Sequence, residues 1–116
     1  MILLSFDIEE FDMPCEYDKD ISFEKQIAIS RTGTTTILDI LKKHQIKATF
    51  FSTVVFAKEV PDLIKRIIAE GHELASHTYY HSNFKVEHLK ESKDALEELS
   101  GSEVIGFRMP RMYPVD

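Results

Sequence analysis

The sequence predicts an α/β domain built on a parallel sheet with helices outside it, and three observations carry that prediction. Ile2 to Asp7 is an almost continuous apolar run, the pattern of a strand buried on both faces. Leu63, Ile64, Ile67 and Ile68 recur at helical spacing between Pro61 and Gly71. Runs of these two kinds alternate from one end of the chain to the other, and alternation implies right-handed crossovers between parallel strands.

The first strand is expected over residues 2–7. Residues 8–30 are acidic, contain Pro14, and read as a loop followed by an irregular or helical stretch. Ile37, Leu38, Ile40 and Leu41 mark the first helix, and Lys42, Lys43 and His44 suit its C-terminus, where cations meet the helix dipole. Residues 47–52, Lys-Ala-Thr-Phe-Phe-Ser, form a second buried strand rich in aromatic residues. Pro61 opens the second helix and Gly71 ends it. A third strand is expected over 72–76. Val86, Leu89, Ala95, Leu96 and Leu99 give a third amphipathic helix that stops at Gly101, and a fourth strand follows over 104–108. Phe6, Phe50, Phe51 and Phe107 are expected in the core.

The chain has 116 residues, enough for one domain spanning 1–116. Its hydrophobic fraction of 43% and charged fraction of 29% are those of a globular protein. A net charge of −6 with no Lys/Arg stripe argues against a nucleic-acid partner. No apolar run approaches the ~20 residues of a membrane helix. The N-terminus lacks the basic segment and small-residue cleavage site of a signal peptide. One cysteine, Cys15, permits no internal disulfide, which fits a reducing, cytoplasmic location.

In parallel α/β folds, functional groups gather where strands end. Three segments meet that rule here. Asp7 and Glu9 follow the first strand, two apart, so that both point to one side if strand geometry persists. Such a pair can divide labour between metal ligation and general base. Glu10 points away and is read as solvated. His77 and His81 follow the third strand, and on a helical turn their i,i+4 spacing lets both rings share a cation. Arg108 follows the fourth strand, where it can orient a rim carboxylate. The other histidines have no such setting: His44 reads as a helix-terminal cation, His72 as part of the turn before strand three, and His88 as solvated.

Together and in this order, the three segments resemble the motifs of the polysaccharide deacetylases, carbohydrate esterase family four. The family's first motif is usually Thr-Phe-Asp-Asp; Ser5-Phe6-Asp7-Ile8-Glu9 stands in its place. The second, His-Ser/Thr-x-x-His, is matched by His77-Thr78-x-x-His81, and the third, Arg-x-Pro, by Arg108-Met109-Pro110. The segments 46–51 and 70–77 are also similar to the family, and the resemblance runs from Met1 to Pro110.

The resemblance implies a distorted (β/α) barrel, present here in part and incomplete on the C-terminal side. It implies Asp7 as catalytic base, Arg108 as the residue that holds it, and His77 and His81 as ligands of a divalent metal, zinc above others. Ile8 cannot ligate, so Glu9 becomes the third ligand, as in family branches with Asp-x-Glu. Pro110 and Arg111 would touch substrate, the Arg111 amide as an oxyanion donor. The implied activity is hydrolysis of N-acetyl groups on a sugar or polysaccharide. The family's later motifs, which bring a general-acid histidine, have no match. A non-catalytic metal- or carbohydrate-binding half-domain, and an amidohydrolase acting on a small non-sugar amide, are the alternatives. An open barrel edge further implies a homo-oligomer.

Overall fold

A computed structural model describes residues 2–17 and 19–112. Three parallel strands form a sheet in the order β1 (Ser5–Ile8), β2 (Thr49–Ser52), β3 (Glu73–Ser76). The pairing is level: Ile8 stands beside Ser52, and Ser52 beside Ser76. All three strands therefore end on one line, and the residues that follow them share one rim.

Four helices pack around the sheet: α1 (Phe23–His44), α2 (Val54–Glu59), α3 (Pro61–Ala69) and α4 (His88–Ser100). Leu38 and Leu41 of α1, Val54 and Phe56 of α2, and Ile64 and Ile67 of α3 close over Phe50 and Leu74 of the sheet. Leu96 of α4 and Val104 complete this core.

Helix α1 starts at Phe23, far before the apolar stripe that announces it. The stretch 31–36, Arg-Thr-Gly-Thr-Thr-Thr, has weak helix propensity. It is held by a cap at Ser22, whose hydroxyl accepts from the Lys25 amide at 3.2 Å, and Thr36 returns its hydroxyl to the Thr32 carbonyl at 3.0 Å. Helix α2 has six residues, too few to print a period, and is announced only by its Thr53 cap. In α4 the buried stripe is His88, Ser92 and Leu96, whereas Val86 and Leu89 are exposed. The solvated reading of His88 is thus overturned. Its ring packs against Tyr79 and Tyr80, and its Nδ1 accepts the Lys85 amide at 3.1 Å.

Two strands depart from expectation. The first is shorter than the apolar run, and Ile2 and Leu3 are each 86% exposed. Among the described residues, β1 pairs on one side only and nothing covers its start, so it is not buried on both faces. Residues 104–108 make one parallel bridge, Phe107 to Ser76, in place of a strand. That bridge is close: a Cβ on Gly106 would lie 3.0 Å from the Ala75 Cβ, so a side chain there would push the segment off the sheet. Of the four phenylalanines expected in the core, only Phe50 is fully buried; Phe6 and Phe51 are partly covered, and Phe107 is exposed.

Candidate metal centre

The three motif segments do meet on the rim. Glu9 leaves β1 and places its Oε2 2.9 Å from His77 Nε2 and 3.2 Å from His81 Nε2. The ligand atoms of these three residues lie within 4.8 Å of one another. Asp7 stands beside them, its Oδ2 3.8 Å from His77 Nε2, and its Oδ1 accepts from Arg108 Nη1 at 2.8 Å. Arg108 is itself fixed: it donates to the Ser5 hydroxyl at 2.6 Å, and its guanidinium lies 4.1 Å from the centre of the Phe51 ring. This is why Phe51 is only partly core.

The histidine pair is not brought together by a helical turn. His77 continues the β3 ladder through its amide, which donates to the Ser52 carbonyl at 2.9 Å. Thr78 then adopts φ 64°, a left-handed conformation that costs a β-branched residue energy. The reversal points the Thr78 and Tyr79 carbonyls at the first two amides of α2, Val54 and Val55, each at 3.1 Å. Helix α2 thereby gains partners for its unpaired N-terminal amides, and the chain returns His81 to the rim.

The hydrogen bonds behind the rings assign their tautomers. His77 Nδ1 lies 2.8 Å from the Arg108 carbonyl, which only accepts, so Nδ1 carries the proton. His81 Nδ1 lies 2.7 Å from Asp12 Oδ1, which only accepts, and 3.4 Å from Arg111 Nη2, which only donates; the shorter contact gives Nδ1 the proton. With the rings in their neutral form, the Nε2 lone pairs of both face Glu9 Oε2, a buried oxygen with no hydrogen-bond donor of its own in that form. Three acceptors facing one another need a positive species among them. His77 responds to the same field. Burial opposes its charge, but the Glu9 and Asp7 carboxylates and the Arg108 carbonyl outweigh burial and hold its pKa above the ordinary imidazole value. Two imidazoles and one carboxylate fit a divalent cation.

A scan of the chain against family models matches polysaccharide deacetylase over residues 1–113. The chain belongs to the polysaccharide deacetylase family. Peptidoglycan-N-acetylmuramic acid deacetylase PdaA of Bacillus subtilis is 37% identical over 67 residues, 58% of this chain and 26% of the relative. Among solved structures, a polysaccharide deacetylase of Mycobacterium smegmatis superposes with a TM-score of 0.76 at 26% identity, covering 94% of this chain and 42% of its own. A CE4 family pseudoenzyme of Bacillus anthracis gives 0.72 at 26% identity, covering 100% and 37%. The match thus spans about a quarter of that curated relative and about two fifths of these solved chains.

In this deacetylase-family chain, Ile8 occupies the position that is acidic in the usual motif, and it is buried in the core. Glu10, read as solvated, is in fact buried: its Oε1 accepts the Thr53 hydroxyl at 2.9 Å. Burial pushes the Glu10 carboxyl pKa up, against the lowering pull of that bond. Glu9 is therefore flanked by two anchored side chains. Pro110 is buried, and Arg111 follows in a left-handed turn at φ 55°. Asp12 escaped the sequence reading, which took it for one more charge in an acidic run. No motif spacing marks it; only the fold brings it to His81.

Proposed function

We propose that Glu9, His77 and His81 bind a divalent metal, zinc above others, in the service of a deacetylase of N-acetylated sugars or polysaccharides. The observation that carries this reading is the meeting of two bare imidazole nitrogens on an unbonded carboxylate oxygen. A cation held there supplies Lewis acidity and acidifies a bound water. Asp7, next to the ligands but not among them, takes the proton of the attacking water. Arg108 keeps Asp7 aimed at the site. The Arg111 amide is the donor for the tetrahedral oxyanion. The sheet and its helices are read as part of a distorted (β/α) barrel, in a single domain over 1–116.

The test pairs binding with turnover. Calorimetry should detect zinc binding to the chain and its loss in His77→Ala. Acetate release from N-acetylglucosamine oligomers should require zinc and should disappear in Asp7→Asn. Turnover by these 116 residues alone is expected to be slow, because among the described residues no histidine outside the ligand pair is placed to protonate the leaving amine: His44 ends α1, ahead of the start of β2. His72 lies at the opposite end of β3, and His88 is enclosed by Tyr79 and Tyr80. The likeness to a pseudoenzyme favours a second reading, a non-catalytic metal- or sugar-binding module. Zinc binding with no acetate release in the whole protein would select it.

A further inference from the structure

Asp12 is neither ligand nor base in the reading above, yet its surroundings are built. Its side chain is 14% exposed, and both oxygens are engaged. Oδ1 accepts from His81 Nδ1 at 2.7 Å and receives Arg111 Nη2 at 3.3 Å, while the Ser82 hydroxyl donates to Oδ2. Arg111 Nη2 also donates to the Ser82 hydroxyl at 3.0 Å. The segments after β1, after β3 and after the Phe107 bridge are thus tied together at one carboxylate.

We propose that Asp12 is the positioning residue of this rim, holding His81 as its Nδ1–H tautomer with Nε2 toward Glu9 and locking the Arg111 turn beside it. The proposal rests on the reading of Glu9, His77 and His81 as a cation site. Neutral imidazole has two tautomers, and the partner of one nitrogen decides which is populated. For His77 that partner is the Arg108 backbone carbonyl, which no substitution removes. For His81 it is a side chain. Both Asp12 oxygens already accept hydrogen bonds, whereas Glu9 Oε2, buried and without one, faces the Nε2 atoms of both rings. Two carboxylates beside the ligand set are paired with arginines, Asp7 with Arg108 and Asp12 with Arg111.

The experiment reads the tautomer in zinc-free protein, by long-range proton–nitrogen spectra of the full chain labelled with nitrogen-15 at histidine, at mildly alkaline pH. In the unaltered protein His77 and His81 should both show the Nδ1–H pattern, and an Nε2–H pattern at His81 overturns the proposal without any variant. In Asp12→Ala, His81 should move toward Nε2–H while His77 keeps its pattern, and zinc affinity should fall about 10–100-fold. An ion pair with only a structural role would lower stability and leave the tautomer unchanged, and that result also overturns the proposal. Asp94→Ala, which removes an exposed carboxylate paired with Lys90, should change neither readout. Should the unaltered chain not bind zinc, the metal reading falls, and the tautomer comparison still decides the role of Asp12.

Discussion

Asp7 and Glu9 are two residues apart and have different work because their neighbours differ. Asp7 is held by an arginine, which fixes its direction and leaves it beside the cation site. Glu9 turns Oε2 to two imidazole nitrogens, and that oxygen has no hydrogen-bond partner. Glu9→Gln should therefore weaken zinc binding by at least the ~10–100-fold that loss of an outer-shell partner costs. Asp7→Asn should weaken it less, and in a complete enzyme should abolish acetate release. Calorimetry on both variants separates the two roles, and equal losses would refute the division. At this scale the sequence displayed the chemistry but not the anchors. The spacing of His77 and His81 and the position of Arg108 were legible as strand-end groups. Glu10, Asp12 and His88 were not, since a charged residue in an acidic run or on a helix looks the same whether solvent or a distant hydroxyl receives it.

The element that sets the rim is the short helix α2, and its start is a junction. The Thr53 hydroxyl accepts from the Phe56 amide at 3.3 Å and donates to Glu10 at 2.9 Å. Thr53→Val keeps the shape and removes both bonds. Loss of a cap costs ~1 kcal/mol, and leaving a buried carboxyl without its donor costs ~1–3 kcal/mol. A destabilisation of about 2 kcal/mol is expected in urea unfolding; a value near zero would mean that Thr53 holds neither. The strand β3 carries a pH response at its other end. His72 is buried there, and its Nδ1 accepts the Ala48 amide at 3.1 Å. Burial, then the nearby Lys47 charge, depress its pKa below the ordinary value, with Arg66 adding to them and Glu70 opposing. The folded state thus binds this proton less readily than the unfolded chain. The contribution of His72 is intact above the unfolded imidazole pKa of ~6.5 and is lost as pH falls through that value toward the lower folded one. His72→Asn, which keeps an acceptor and cannot charge, should lose less stability between neutral and mildly acidic pH. Parallel urea titrations at two pH values check this. Long elements with a clear period, α3 and the second half of α1, could be read from the sequence. Those held by caps and hydroxyl bonds, the first half of α1 and all of α2, could not, because a cap has no period.

For the molecule as a whole, the level ends of three parallel strands turn distant segments into one site. The bond from Arg108 to Asp7 spans 101 residues, and that from His81 to Asp12 spans 69. The parallel order of strands and helices was readable because each crossover left its own apolar run. The extent of burial was not, since an apolar strand reads alike whether or not a neighbour covers it. That difference has a consequence for the 116-residue chain by itself. Ile2 and Leu3 at the open side of β1, with Ile105 and Phe107 at the opposite bridge, are apolar and exposed. An unpaired strand edge beside apolar side chains invites pairing with another chain. The net charge of −6 opposes that encounter by long-range repulsion, which salt screens within about 10 Å at ~0.1 M. Light scattering should therefore give a mass above the 13.4 kDa of one chain, rising with added salt. Leu3→Lys, which adds a charge at the edge, should shift the population toward the monomer and leave zinc affinity unchanged. A monomer at all salt concentrations would refute association through this edge.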